Sequence, residues 1–254
     1  MLRPRIIPSL LIHDGGLNKT VKFKPGKYVG DPLNAVKIFN ELCCDEIMIL
    51  DIDATRNLKE PDYELIRKIA AECRMPLCYG GGIKDIYQAE RILSLGVEKV
   101  SLSSILYSEP EIINKLAKDV GTQSIVACID VKKSKFFNKY ECYTNNATLK
   151  QNVELFEFIN DIQKRGIGEL VINSIDNDGM MNGYDINLFE KVLNNSNVPV
   201  TLLGGAGSIE DINKLVKISP IVGAAAGSIF VFKGKYKAVL INYPDESEKK
   251  QIGN

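Results

Sequence analysis

A single histidine, His13, is all the imidazole this sequence contains, and none of its six cysteines forms a C-x-x-C pair. The usual zinc sites draw on such donors, so no bound metal, and no other cofactor, is expected. Net charge is missing too: 32 basic residues cancel 32 acidic ones. That excludes a general nucleic-acid or membrane-surface binder, although local clusters can still recognise an anion. Long apolar runs are also absent. The longest, Ile221 to Phe232, has 12 residues, against the roughly 20 that a membrane span needs. The opening MLRPRIIPSLLI is too short for a secretory apolar region and runs straight into a strand pattern. Four of the cysteines lie in apolar stretches and read as reduced core thiols. The expectation is a soluble cytoplasmic protein.

What is present is alternation. Short β-branched runs near Arg5–Ile12, Glu46–Asp53, Pro76–Gly80, Lys99–Ser103, Ser124–Val131, Glu169–Ser174, Pro199–Leu203 and Ile221–Ala226 read as strands. Helical periodicity fills most of the gaps, over Asp31–Leu42, Pro61–Glu72, Ile86–Leu95, Pro110–Asp119, Gln151–Arg165, Ile186–Leu193 and Ile209–Val216. Eight strands with crossover helices suit a closed parallel sheet, an α/β (β/α)8 TIM barrel, and the alternation alone would also suit an open doubly wound sheet.

A duplication favours closure. IIPSLLI from Ile6 matches IVACIDV from Ile125, and MILDIDAT from Met48 matches VINSIDND from Val171. PLCYGGGI from Pro76 matches PVTLLGGA from Pro199, and SLSSI from Ser101 matches AAGSI from Ala225. Two four-strand halves, about 1–122 and 123–244, that each need the other to cover their edges make one barrel domain over 1–254. From Asp245 onward the charged tail is expected to fray.

In such barrels chemistry lies at the C-terminal strand ends. Gly81 and Gly82 follow the third strand, with Ser103 and Ser104 ending the fourth; Gly204 and Gly205 follow the seventh, with Gly227 and Ser228 ending the eighth. Loops without side chains let backbone N–H groups close on phosphate oxygens, so the repeat predicts two phosphate sites, with Gly179 near the second. The plainer alternative is that glycines permit tight turns. Asp51, Asp53, Asp130, Asp176 and Asp178 fall at or past strand ends, where turn forming and helix capping compete with function. Asp130 stands out, since it lies between Ile129 and Val131 inside an apolar strand, where a carboxylate without a purpose is costly. Lys19 opens a long basic loop with Lys22, Lys24 and Lys27, which suits either a mobile lid over the mouth or a solvated surface loop.

RIIPSLL…DGG, GDP, LDI, YGGGI, KVSLSS, VACIDVK, INSIDNDG, GYD and LLGGAGS together resemble the cyclase subunit of imidazole glycerol phosphate synthase, from Arg5 to about Phe232. The resemblance implies a barrel that holds a bisphosphorylated ribose-derived substrate across its mouth. It also implies a glutaminase partner docked at the N-terminal barrel face, with ammonia crossing the interior. Arg5, Glu46, Lys99 and Glu169 match the family's charged ring at the lower end, and a partner surface near Glu98 would fit. The chain departs from the family at one place. Of the two facing aspartates that act as general acid and base, Asp130 is present and the other position holds Leu11. A leucine cannot give or take a proton, which puts ring closure in doubt.

Around RIIPSLLI, KTVKFK and YVGDPLNAVKIFNE the chain also resembles a diverged branch associated with surface-polysaccharide pathways. There a glutaminase, a barrel and a separate ATP-using amidotransferase convert an acetamido group of a sugar to acetamidino. The resemblance then implies Asp130, Lys19 and Asp178 as working residues, acting on a phosphorylated small molecule or a sugar nucleotide. Two alternatives stand beside it: a histidine-pathway synthase in which Asp51, Asp176 or Asp178 replaces the missing acid, and a non-catalytic ammonia conduit that activates the glutaminase.

Overall fold

The computed structural model describes residues 4–135, 137 and 139–253; residues 1–3 of the quoted opening and the last residue of the tail lie outside it. Eight parallel strands form the frame: Arg5–His13, Ile47–Asp51, Leu77–Gly80, Lys99–Leu102, Ile125–Lys133, Glu169–Ser174, Val200–Leu203 and Gly223–Ala226. Each pairs with the next, and the eighth pairs with the first, Arg5 opposite Gly223 and Pro8 opposite Ala226. The sheet is therefore a closed (β/α)8 barrel, with the two sequence halves contributing four strands each. An open sheet is ruled out.

Strand alternation sorts the side chains. Ile6, Leu10 and Ile12 point outward into the core shared with the helices, whereas Ile7 belongs to a separate cluster inside the barrel. That inner cluster adds Met48, Cys78, Val126, Cys128, Val171, Leu203 and Ala225. Helix starts are set by short polar caps: Asp31, Asp62, Asp85, Asp185 and Ser208 each accept a hydrogen bond from the backbone N–H three residues on.

Two hairpins rise above the mouth, the first of them where the sequence suggests a loop. After the first strand the chain forms Gly16–Val21, antiparallel to that strand's end, and then Lys24–Gly30, antiparallel to Gly16–Val21. Its two-residue turn, Lys22 and Phe23, has φ of +52° and +60°, as a mirror-image turn requires. The fifth strand likewise continues past the barrel and pairs with Tyr140–Thr144.

The tail differs from expectation. Asp245 caps a short helix, Glu246–Gln251, through a reciprocal capping box with Glu248. Just before it, the Tyr243 hydroxyl donates to Ile6 O at 2.8 Å and accepts from Asp45 N at 3.0 Å. Tyr243→Phe strands both groups, so a loss of about 1–3 kcal/mol is expected in urea unfolding.

Candidate active site

The C-terminal strand ends enclose a cavity of about 230 Å³. Ser9, Leu50, Ser101, Cys128, Asn173 and Leu203 line its deeper part, and Leu11 and Asp130 stand one inward position higher. Strands one and five are four apart in either direction around the ring. Leu11 and Asp130 thus occupy equivalent positions on opposite walls.

Asp130 sits beside Asn173 in the fifth–sixth strand register, and the Asn173 amide donates to its Oδ1 at 2.9 Å. Burial pushes the Asp130 carboxyl up to about 7; the Asn173 hydrogen bond opposes this and the nearby Asp178 charge adds to it. Near neutral pH this carboxyl is present in both forms, as a general acid or base must be.

Lys19 and Asp178 form a buried pair, Nζ to Oδ1 at 2.6 Å. Asp178 also accepts from Thr20 Oγ1 at 3.0 Å, and its carbonyl accepts from Lys22 N–H at 2.9 Å. The first hairpin is thereby pinned to the second half of the barrel. Lys22, Lys24 and Lys27 are solvent-exposed. The remaining aspartates are occupied by backbone. Asp51 accepts from the N–H groups of Asp53 and Ala54, Asp53 from Asp14 N–H and His13, and Asp176 from Lys133 N–H. Asp51 alone of these lines the cavity, and burial raises its carboxyl against those two hydrogen bonds.

The predicted anion loops separate. Gly81, Gly82, Ser103 and Ser104 line the cavity, together with Thr55, Arg56 and Lys84, which no sequence motif singles out. Gly204, Gly205, Gly227, Ser228 and Gly179 do not line it. Backbone crowding explains the glycines at both places: a Cβ on Gly81 would come within 2.3 Å of Asp51 O, and one on Gly205 within 2.2 Å of Gly183 O.

At the opposite end the four floor charges meet. Arg5 donates to Glu46 and, at 2.9 and 3.2 Å, to both oxygens of Glu169. Lys99 donates to Glu46 at 2.8 Å and Glu169 at 2.9 Å, and Thr201 donates to Glu169 at 2.6 Å. Burial opposes ionisation of Glu169 most strongly, yet Arg5, Lys99 and Thr201 together hold its carboxyl below the usual range. Above this ring the interior is apolar, with the Cys78 and Cys128 thiols kept neutral by burial.

A closed barrel with a polar mouth, an apolar lumen and a charged floor defines a two-ended (β/α)8 protein. Residues 5–237 match the family model described as histidine biosynthesis protein. A protein of Vibrio vulnificus, provisionally named imidazole glycerol phosphate synthase subunit hisF3, is 63% identical over 99% of this chain and 96% of its own length. The similarly provisional hisF2 subunit of Pseudomonas aeruginosa is 49% identical over 96% and 97%. The imidazole glycerol phosphate synthase subunit HisF of Lactococcus lactis is 37% identical over 91% and 89%. The chain belongs to the histidine biosynthesis protein family, as a HisF-like cyclase subunit of the imidazole glycerol phosphate synthase type. Among the described residues, no helix is long and apolar enough to cross a membrane.

Proposed function

We propose that this chain is the ammonia-using barrel of a glutamine amidotransferase system, working in acetamidino-sugar formation for surface polysaccharide. A glutaminase (HisH-type) docks at the N-terminal face around the exposed Glu98, and ammonia passes the ring of Arg5, Glu46, Lys99 and Glu169. A neutral molecule crosses the apolar lumen at little cost, whereas an ammonium ion would lose its hydration there. At the mouth Asp130 accepts a proton from the incoming amine, Lys19 and Asp178 order the covering hairpin, and the Gly81–Ser104 side holds a phosphorylated ligand. Replacing a carbonyl oxygen by nitrogen needs a separate ATP-using amidotransferase to activate that oxygen.

The observation that carries this choice is Leu11, which puts a methyl-bearing side chain where ring closure by paired carboxylates needs the second one. The competing role is the genuine histidine-pathway cyclase and lyase, favoured by the name of the Lactococcus lactis relative. Incubating the purified chain with the bisphosphorylated histidine-pathway substrate and excess ammonium salt separates them. The expected result is no aminoimidazole product above the uncatalysed background. Steady turnover there would instead assign the chain to histidine biosynthesis, with Asp178 or Asp51 as the second acid. If Asp130→Asn leaves acetamidino formation intact while the chain still stimulates the glutaminase, the barrel is a conduit only.

A further inference from the structure

Acids and bases balance over the whole chain, yet they are not mixed evenly. No Asp or Glu occurs between Asp14 and Asp31, or between Asp211 and Asp245. The first of these stretches holds the hairpin of Gly16–Val21 and Lys24–Gly30, with Lys22, Lys24 and Lys27 in solvent. The second holds a shorter hairpin just past the eighth strand, Phe232–Lys233 paired with Ala238–Val239, which exposes Lys233, Lys235 and Lys237.

Tertiary contact joins the two hairpins into one patch. The Lys27 ammonium donates to Lys237 O at 3.5 Å and lies 5.6 Å from the centre of the Phe232 ring. Lys237 N–H closes the second turn on Gly234 O at 3.0 Å, so Lys235 and Tyr236 form its tip. Tyr236 is 90% exposed, and Val239 and Leu240 behind it are half-exposed. Among the described residues the lysine ion pairs lie at other positions, so these six ammonium groups are not neutralised. Lys233 shares a cleft with Glu248, whose carboxylate instead accepts from Asp245 N–H at 2.9 Å.

Clustered cations beside exposed apolar side chains attract an anionic partner. Two features select its kind. All six cations are lysine, whereas protein interfaces and nucleic-acid contacts favour arginine. A tyrosine and two aliphatic side chains at a protruding tip suit the headgroup level of a bilayer, where an amphipathic ring rests between water and hydrocarbon. We infer that this rim docks the protein on an anionic lipid surface, with Tyr236, Val239 and Leu240 at the headgroups and the six lysines facing acidic lipids. The inference is independent of the reaction proposed at the mouth. Because the whole chain is neutral, the remaining surface carries the compensating negative charge and is repelled. Docking is therefore oriented, with this side of the barrel toward the lipid.

Co-sedimentation of the full chain with vesicles of equal parts phosphatidylglycerol and phosphatidylethanolamine tests this, against vesicles of phosphatidylcholine. Binding to the first and none above background to the second is expected, falling steeply between about 0.1 M and about 1 M salt as charges are screened. Each lysine near an acidic membrane is worth roughly fivefold in binding, so changing Lys233→Gln, Lys235→Gln and Lys237→Gln together weakens it about a hundredfold. The same loss of charge on the far side of the ring, Lys115→Gln, Lys118→Gln and Lys164→Gln at exposed helix positions, leaves it within about twofold. Both triple variants keep the wild-type urea midpoint, since every altered side chain is exposed. Vesicles that stay empty, equal binding to phosphatidylcholine, or equal losses in the two triple variants overturn membrane docking. Capture of soluble poly-glutamate by a chain that ignores the vesicles also overturns it and assigns the patch to an acidic protein.

Discussion

Asp130→Asn lowers ammonia-dependent turnover by about 10²–10⁴-fold, the usual worth of a positioned proton acceptor, and makes the folded chain more stable at pH 7.5. The two effects have one cause. Burial raises the Asp130 carboxyl from 3.8 to about 7, so the folded state holds its proton where the unfolded chain has lost it. Stability from this group is therefore fully present below the unfolded value and declines as pH rises through the folded one. At pH 7.5 most of that decline has occurred, and an uncharged asparagine avoids it. A gain of roughly 1–3 kcal/mol is expected by linkage, read as a higher urea midpoint at pH 7.5 that narrows toward pH 4. The wild-type rate should rise through a limb near pH 7 that the variant lacks. An unchanged rate with unchanged stability would remove Asp130 from the chemistry.

Glu169→Ala strikes the other end. Glu169 accepts from Arg5, Lys99 and Thr201, and it is 4% exposed. Removing it leaves two cations sharing Glu46, and breaking a buried charge network from one side costs about 3–5 kcal/mol. The loss should appear in the urea midpoint with the slope unchanged. Function separates the roles of the floor. Glutamine-driven product formation should fall further than product formation driven by added ammonium salt, because on the proposed route only the former crosses the ring. Glu169→Gln keeps hydrogen-bonding groups and should cost less stability than alanine. The pH dependence has the opposite sign from that of Asp130. Arg5 and Lys99 hold the Glu169 carboxyl below its ordinary value, so its contribution is present above about pH 4.3, the unfolded carboxylate range, and is lost as pH falls through the lower folded value.

Much of the barrel is legible without coordinates because its strands are buried on both faces and bounded by glycine and proline. The predicted Glu169–Ser174 strand is the observed one, and the other seven differ only at their ends. The first hairpin was hidden for a local reason. A mirror-image turn is normally announced by Asn-Gly or Asp-Gly, and here Lys22 and Phe23 take positive φ instead. The tail helix was hidden because Glu246–Gln251 has no apolar face, and its capping box competes with an evenly charged surface.

At the site, the chain alone dictates which chemistry is available: one carboxylate inside an apolar strand, a leucine in its duplicate, glycines at matched strand ends, and charges at four strand starts. Those assignments follow from residue type and from the two-residue period that sends every second side chain inward. Which aspartates are free, which glycine loop is open and which cations stand beside it depended on contacts between residues far apart in the chain. Lys19 meets Asp178 across 159 positions and Asn146 meets Ile52 across 94. No local pattern encodes such pairings, because they arise only when ring closure brings the two halves face to face.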